Sequence, residues 1–416
     1  MIVFLRIGLM SFGGPAAQIA LMHRELVDKR SWLTEEAFLR GLSFCMLLPG
    51  PEAMQLCTYT GWRLRGMGGG LLAGLLFVLP GALVIGLLAW GYLAYGNLPA
   101  VQGAFVGIKA AVIVIVLQAL WRLRTKALHS RIDWLLSAFG FAALFFLGLP
   151  FPVVILLAGL IGLTLRPTPS LDGSASAPIS SLQDSIKTAA VWGLLWIAPL
   201  LALDLLGHQF LATLGWFFAK LAIVTFGGAY AVLAYMSQAI VQDHAWISTG
   251  QMIDALGLAE TTPGPLILVT QFVAMLAGHA QGGLPLFLAA GAVALWATFV
   301  PCFLWIFTAA PYVERLSQHP RLGNALKGVT SAVTGVILNL SLWFLAHVLF
   351  ASVAQTHIGP FTLALPQWQS LDLTAAALTA LAVVTATLFQ GRLAPLLGLM
   401  AAAGLLLSVL PISALG

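Results

Sequence analysis

The chain has 416 residues, of which 60% are hydrophobic and only 8% charged, with a formal net charge of +5. A soluble globular protein carries about 25% charged residues, so this composition excludes an ordinary soluble enzyme or binding module. The small basic excess reads as loops beside a membrane and not as a nucleic-acid surface.

Runs such as GGGLLAGLLFVLPGALVIGLLAW (68–90) and AAVIVIVLQALW (110–121) predict a polytopic helical membrane protein. Segments 1–22 and 35–62 are expected to be broken hairpins, followed by spans over about 71–94, 99–121, 132–148 and 150–165. A linker rich in Pro, Ser and Gly, RPTPSLDGSASAPISSLQDS (166–185), follows and has no apolar face. Beyond it come a span over 187–206, a hairpin over 209–236, and spans near 284–309, 327–349, 371–390 and 393–412. Cys45, Cys57 and Cys302 lie in apolar sequence without metal or disulfide spacing, so buried packing is expected and neither a metal nor another cofactor is. No small-residue signal cleavage site follows Met1, and no GxxxxGK[ST] loop occurs, which argues against an ATP-driven pump.

The chain repeats itself. Phe12-Gly13-Gly14 pairs with Phe226-Gly227-Gly228, 214 residues on. The same offset pairs Trp32 with Trp246, Pro49-Gly50-Pro51 with Pro263-Gly264-Pro265, and Gly68-Gly69 with Gly282-Gly283. Charge placement orients the copies. The first has basic connections at HRELVDKR (23–30), at Arg63 and Arg65, and at RLRTKALHSR (122–131). Their counterparts SQAIVQDHAW (237–246), AGHAQ (277–281) and 347–372 contain no Lys or Arg, whereas Arg315, Arg321, Lys327 and Arg392 fill connections that are bare in the first copy. Because Lys and Arg stay cytoplasmic, the copies are expected in opposite orientations. The expected fold class is an all-α polytopic membrane protein of two inverted-topology repeats, each with two broken or re-entrant helical hairpins plus transmembrane helices. Its parts are a first repeat (1–165), a cytoplasmic linker (166–186), a connecting helix (187–206) and an inverted second repeat (207–416).

Irregular backbone at membrane depth must be buried in protein or line a watery cavity, so the breaks are expected to converge. A helix starting after each break presents free N–H groups and the positive end of its dipole, which attract anions. The candidate binding residues are Gly13, Gly14, Gly227 and Gly228, with the hydroxyls of Ser11 and Thr225 just before them, and Pro49, Gly50 and Pro51. In the second copy Thr261, Thr262, Pro263, Gly264 and Pro265 complete the set. The alternative is that these glycines only permit tight helix packing. Arg6 and Lys220 occupy matching places six residues before each Phe, as anion ligands or as snorkelling cations. Lys109 lies mid-span in GAFVGIKAAVIVIVLQ and is a binding candidate. Glu52 and Glu260 flank the two Pro-Gly-Pro breaks, as carriers of a coupled proton or, for Glu52, as a complement to its helix N-terminus. Asp254 aligns with Arg40, and a pairing between them would be structural.

The stretches SFGGPAAQIALMHRELVDKRSWL (11–33), FCMLLPGPEAMQLCTYTGWRLRG (44–66), TFGGAYAVLAYM (225–236) and ETTPGPLILVTQFVAML (260–276) resemble the chromate ion transporter family, in its long two-domain form. Two departures are Ala229 in place of Pro15 and the missing glutamate after the second Pro-Gly-Pro. The resemblance implies a multi-pass protein of the bacterial inner membrane that exports chromate without ATP and confers chromate resistance. Expected partners are chromate, its analogue sulfate, the lipid bilayer and a second copy in a homodimer, but no nucleic acid. Two alternatives stay open. One is a transporter of sulfate or another inorganic anion; the other is an intramembrane enzyme acting on lipid, which the lack of a nucleophile–base pair disfavours.

Overall fold

A computed structural model describes residues 1–12, 14–165, 182–226, 229–313, 320–358, 361–389 and 392–409. The chain forms two compact units. The first takes Met1–Leu87, Gly159–Val232 and Thr262–Lys327; the second takes Leu88–Ala158, Leu233–Thr261 and Gly328–Gly416. Each unit draws on both sequence copies. The linker 166–181, Gly13, Gly227, Gly228 and the stretch around Arg315 lie outside the described residues.

The first unit opens with α1 (Ile2–Met10) and α2 (Gly14–His23). Nine residues of helix rise about 14 Å, half the roughly 30 Å of a hydrocarbon core, so α1 cannot cross a membrane alone. Next comes α3 (Glu35–Leu47), whose first turn is capped by the Thr34 hydroxyl accepting from the Ala37 N–H at 3.2 Å. Before it, the buried Glu25 carboxylate accepts from Lys29 at 2.8 Å and from Arg30, and the Lys29 bond chiefly holds its pKa below the usual glutamate value. Beyond Pro-Gly-Pro runs α4 (Glu52–Tyr95). Its start folds back on α3: a Cβ on Gly41 would lie 2.6 Å from Tyr59 Cε1, and the Phe44 and Tyr59 rings are 5.7 Å apart. In one continuous helix residues 41 and 59 would sit about 27 Å apart. The first Pro-Gly-Pro is thus the tip of a helical hairpin.

Within α4 the backbone leaves helical geometry at Arg65 and Gly66, where Gly66 takes φ +62°. The chain doubles back there, so that a Cβ on Gly61 would come within 2.6 Å of Ala73 Cβ. The same turn recurs in α12 (Val269–Ala309), at Gly282 and Gly283 with φ +66° at Gly283. There a Cβ on Gly278 would lie 2.8 Å from Ala290 Cβ. Gly-Gly at 68–69 is therefore not the counterpart of 282–283, as sequence alignment suggests. The turn sits three residues earlier in the first copy, because one glycine at positive φ suffices and Gly66 supplies it. Around these long helices, α8 (Leu182–Leu205) places Trp192 against Phe303 and Phe307 of α12, with ring centroids 5.7 and 5.1 Å away. Leu200 of α8 fills the notch at Gly215 of α9 (Gln209–Val224). A short α10 (Ala229–Gln238) leads out of this unit.

The second unit contains α5 (Pro99–Ala127), α6 (Arg131–Phe145), the start of α7 (Phe151–Thr164), α11 (Thr249–Thr261) and most of α13 (Pro320–Leu349). It ends with α14 (Leu373–Leu388) and α15 (Leu393–Val409). Ser248 caps α11 as Thr34 caps α3, accepting from the Gln251 N–H at 3.2 Å. Helices α5, α14 and α15 share a core of Ala110, Ala111, Val114, Leu378, Ala382 and Met400. The seam between α5 and α15 is built from missing side chains. A Cβ on Gly107 would overlap the Met400 carbonyl, and one on Gly103 would lie 2.5 Å from Ser408 Cβ. Small residues let membrane helices approach closely and gain dispersion contacts.

One element was not anticipated. Strands β1 (Val353–Ile358) and β2 (Phe361–Pro366) pair antiparallel, with Val353 opposite Pro366 and Ile358 opposite Phe361. Five helical stretches are long and apolar enough to cross a membrane: Glu52–Tyr95, Pro99–Ala127, Leu182–Leu205, Leu266–Tyr312 and Arg321–Leu349. Shorter apolar helices include Phe151–Thr164, Gln209–Val224 and Leu373–Leu388. The protein is an all-α polytopic membrane protein carrying one small β-hairpin among its described residues. Substituting Gly107→Ala is expected to destabilise it by about 1–3 kcal/mol, the usual range for overpacking a tight contact. Gly398→Ala, on the same seam helix with open space around it, serves as a neutral control. Thermal unfolding in detergent reads the difference.

Candidate anion site at the helix breaks

In the first unit two backbone hydrogen bonds tie break residues of the two sequence copies together. The Gly50 N–H donates to the Thr225 carbonyl at 2.7 Å, and the Gly264 N–H donates to the Ser11 carbonyl at 2.9 Å. Ser11 and Thr225 are 214 residues apart, as are Gly50 and Gly264. Each Pro-Gly-Pro is therefore latched to the residue that ends the preceding short helix of the other copy. The local reason is plain. Proline supplies no N–H at positions 49, 51, 263 and 265, so the glycine between carries the donor each tip must satisfy. Gly50 and Gly264 take φ +126° and +92°, which an L side chain rarely adopts. Ser11 and Thr225 end α1 and α9 in near-identical geometry, φ −80° ψ 72° and φ −76° ψ 82°.

Two glutamines complete the arrangement, and the sequence reading missed both. Gln18 is buried and its amide donates to the Gly264 carbonyl at 2.7 Å. Gln55 is buried and donates to the Pro49 carbonyl at 2.7 Å. Their counterparts in the other copy are Val232 and Val269, so the clamps exist only in the first. The available signal was a glutamine inside an apolar run beside a break, which needs polar partners. A third, Gln271, donates to the Ala82 carbonyl at 3.0 Å. The tip at 263–264 also packs on α4, where a Cβ on Gly81 would strike the Pro263 carbonyl and lie 2.6 Å from Leu268 Cδ1.

The matched hydroxyls are not equivalent. Thr225 Oγ1 donates to the Leu221 carbonyl at 2.6 Å, and Thr261 Oγ1 to the Leu258 carbonyl at 2.7 Å, so both protons are committed to their own helices. Ser11 is 1% exposed, and its Oγ has no hydrogen-bond partner among the described residues. Gly14 begins α2 with φ +76°. Thr262, Pro263, Gly264 and Pro265 are buried, while Pro49 is half-buried and Gly50 and Pro51 are buried. Glu52 is half-buried at the first position of α4, and Glu260 is buried near the end of α11. Arg6 and Lys220 are exposed on α1 and α9.

Lys109 is not a lone cation. In the second unit its ammonium lies 3.1 Å from Asp254 Oδ1, and the Tyr92 hydroxyl donates to Asp254 Oδ2 at 2.8 Å. Arg40, the residue aligned with Asp254, approaches Glu36 of its own helix at 3.8 Å. A cavity of 450 Å³ in the second unit, lined by apolar side chains with Gln238, Asn339, Trp343 and His347, contains none of the sequence-predicted site residues. All three cysteines are free and buried, as expected from their apolar settings.

The backbone latch gives a direct expectation. Gly81→Ala drives a methyl group into the Pro263 tip and is expected to lower stability by about 1–3 kcal/mol. Gly86→Ala, one turn and a half along α4, meets only Gln271 Nε2 at 3.6 Å and Met275 Cε at 3.7 Å and should be tolerated. Equal unfolding temperatures for the two variants would contradict the placement of the tip.

A family model described as "Chromate transporter" matches residues 1–163 and 212–407. A chromate transport protein of Pseudomonas aeruginosa is 35% identical over 340 residues, 80% of this chain and 77% of that protein. Another from Cupriavidus metallidurans is 31% identical over 341 residues, covering 80% of this chain and 79% of that protein. A probable chromate transport protein of Synechococcus elongatus is 31% identical over 342 residues, covering 80% and 81%. No solved structure gives a significant match. With both copies of the broken-helix design inside the matched residues, the chain belongs to the chromate transporter family.

Proposed function

We propose that this protein is a secondary transporter that exports chromate from the cytoplasm across the bacterial inner membrane and thereby gives chromate resistance. Substrate class rests on the family and on relatives named as chromate transport proteins. Those names favour transport over the alternative of an intramembrane enzyme. The single observation that carries the mechanism is the crossed latch, Gly50 to Thr225 and Gly264 to Ser11, which holds helix starts from both copies in one unit.

In this reading the chain is two inverted repeats, 1–165 and 207–416, joined by a cytoplasmic linker and the helix over 187–206. The hairpin at 35–62 enters and leaves on the cytoplasmic side. The anion is bound at the breaks by first-turn N–H groups and the helix dipoles, which favour negative charge. Gly13, Gly14, Gly227 and Gly228 let it approach the backbone, and Ser11 Oγ donates the hydroxyl bond that Thr225 and Thr261 cannot. Pro49, Gly50, Pro51 and Thr262 to Pro265 shape the two tips. Arg6 and Lys220, exposed on matching helices, attract the anion to the site. Glu52 and Glu260 are the carboxyls placed to exchange a coupled proton beside the tips. Backbone N–H groups and a hydroxyl recognise any tetrahedral dianion, so sulfate competes. The same chain acts in the bilayer as a homodimer.

Uptake of radiolabelled chromate into everted membrane vesicles tests this reading. Lys220→Ala should lower the rate by about tenfold or more at equal amounts of folded protein, a loss of about 1.4 kcal/mol of attraction for the anion. Unchanged uptake would remove Lys220 from the site, and no uptake by the unaltered protein would remove chromate.

A further inference from the structure

The second unit holds a polar cluster that the helix breaks do not need. Lys109 sits in the middle of α5, Asp254 on α11 and Tyr92 near the end of α4. Asp254 is 9% exposed by its side chain and receives two donors, the Lys109 ammonium at 3.1 Å and the Tyr92 hydroxyl at 2.8 Å. The two contacts differ in kind. The tyrosine bond to Oδ2 is a well-formed hydrogen bond, whereas Oδ1 accepts no aligned hydrogen bond and meets Lys109 as a charge. Lys109 keeps a quarter of its side chain accessible. The lysine side chain is therefore paired with Asp254 and still partly accessible.

The surrounding helices hold this pair in register. A Cβ on Gly257, one turn after Asp254, would lie 2.7 Å from Ile108 Cγ2 and 3.4 Å from Val112 Cγ2. These residues bracket Lys109 on α5. The missing side chain thus lets α11 approach at the lysine. The Tyr92 ring packs edge-on against Phe105, one turn before Lys109, with centroids 5.4 Å apart. Helices α14 and α15, which pack on α5, contain no charged residue. A buried ion pair contributes little net stability compared with apolar side chains of the same volume, and an ionisable group within a membrane helix is costly. Its presence here calls for a use of the charge.

We propose that Asp254 is a tethered counter-anion for Lys109. It occupies the ammonium while no substrate is present and is displaced when an oxyanion arrives. This rests on the reading that the protein carries such an anion. A carboxylate and a chromate oxygen face are alike in what they accept, so the ammonium paired with Asp254 is the donor an arriving dianion would take, while the Tyr92 phenol holds Asp254 in place. Asp254 then re-forms the pair as the anion leaves, which keeps the station from retaining its cargo. The apparent affinity of a ligand is reduced by the fraction of sites that are not competent to bind, here the fraction closed by Asp254.

Initial rates of radiolabelled chromate uptake in proteoliposomes of the full chain separate this role from a structural one. Asp254→Asn, which removes the charge and keeps the shape, should lower the half-saturating chromate concentration by about fivefold or more while also lowering the maximal rate. Lys109→Met should raise the half-saturating concentration. Tyr92→Phe leaves both charges in place and should shift it in the same direction as Asp254→Asn by a smaller factor; it stands in if the asparagine variant fails to fold. A half-saturating concentration that is unchanged or raised in both Asp254→Asn and Tyr92→Phe overturns the counter-anion role and leaves chromate transport standing. Absence of uptake by the unaltered protein overturns the transport reading and this role with it.

Discussion

Everything in the first unit depends on satisfying backbone groups where helices stop inside an apolar protein. An unpaired N–H or C=O buried away from water is costly, and lipid offers no partner. Proline on both sides of Gly50 and of Gly264 strips each tip to one available donor, and that donor is spent on the other sequence copy. The broken helices cannot be described one at a time, because each break is completed by its counterpart. Gln18 and Gln55 then satisfy tip carbonyls that the latch leaves over. The result is a junction of interrupted helices whose tip groups are paired across the two copies.

The two copies share their local structure and differ in their polar equipment. The helix-ending residues Ser11 and Thr225, the caps at Thr34 and Ser248, and the turns at Gly66 and Gly283 repeat closely. The clamping glutamines, the uncommitted Ser11 hydroxyl and the Lys109–Asp254 pair do not. A symmetric frame with asymmetric chemistry is what a carrier needs when its substrate must be bound in one state and released in another.

The sequence was most informative where a residue type forces local geometry. Pro-Gly-Pro inside an apolar run marks a break, and the recurrence of that motif after Phe-Gly-Gly marks a repeat. Partners were hidden, because nothing local in Gly50 indicates Thr225 as its acceptor 175 residues away. The equivalence of Gly68-Gly69 with Gly282-Gly283 failed for a related reason: identical letters stood in for a backbone turn that only one positive-φ glycine decides. Lys109 was visible as a mid-span cation, but its partner was obscured by the alignment of Asp254 with Arg40. The β-hairpin over 353–366 was passed over since its alternation, VAQTHI and FTLALP, is short and lies in a connection read only for charge.

Amide hydrogen exchange at the latched breaks, with and without chromate, reads out whether an oxyanion binds there. Bound chromate should slow exchange in peptides covering 48–56 and 262–270 together, because one anion would engage helix starts from both copies. Protection confined to other segments, with both of these peptides unchanged at saturating chromate, would contradict the account.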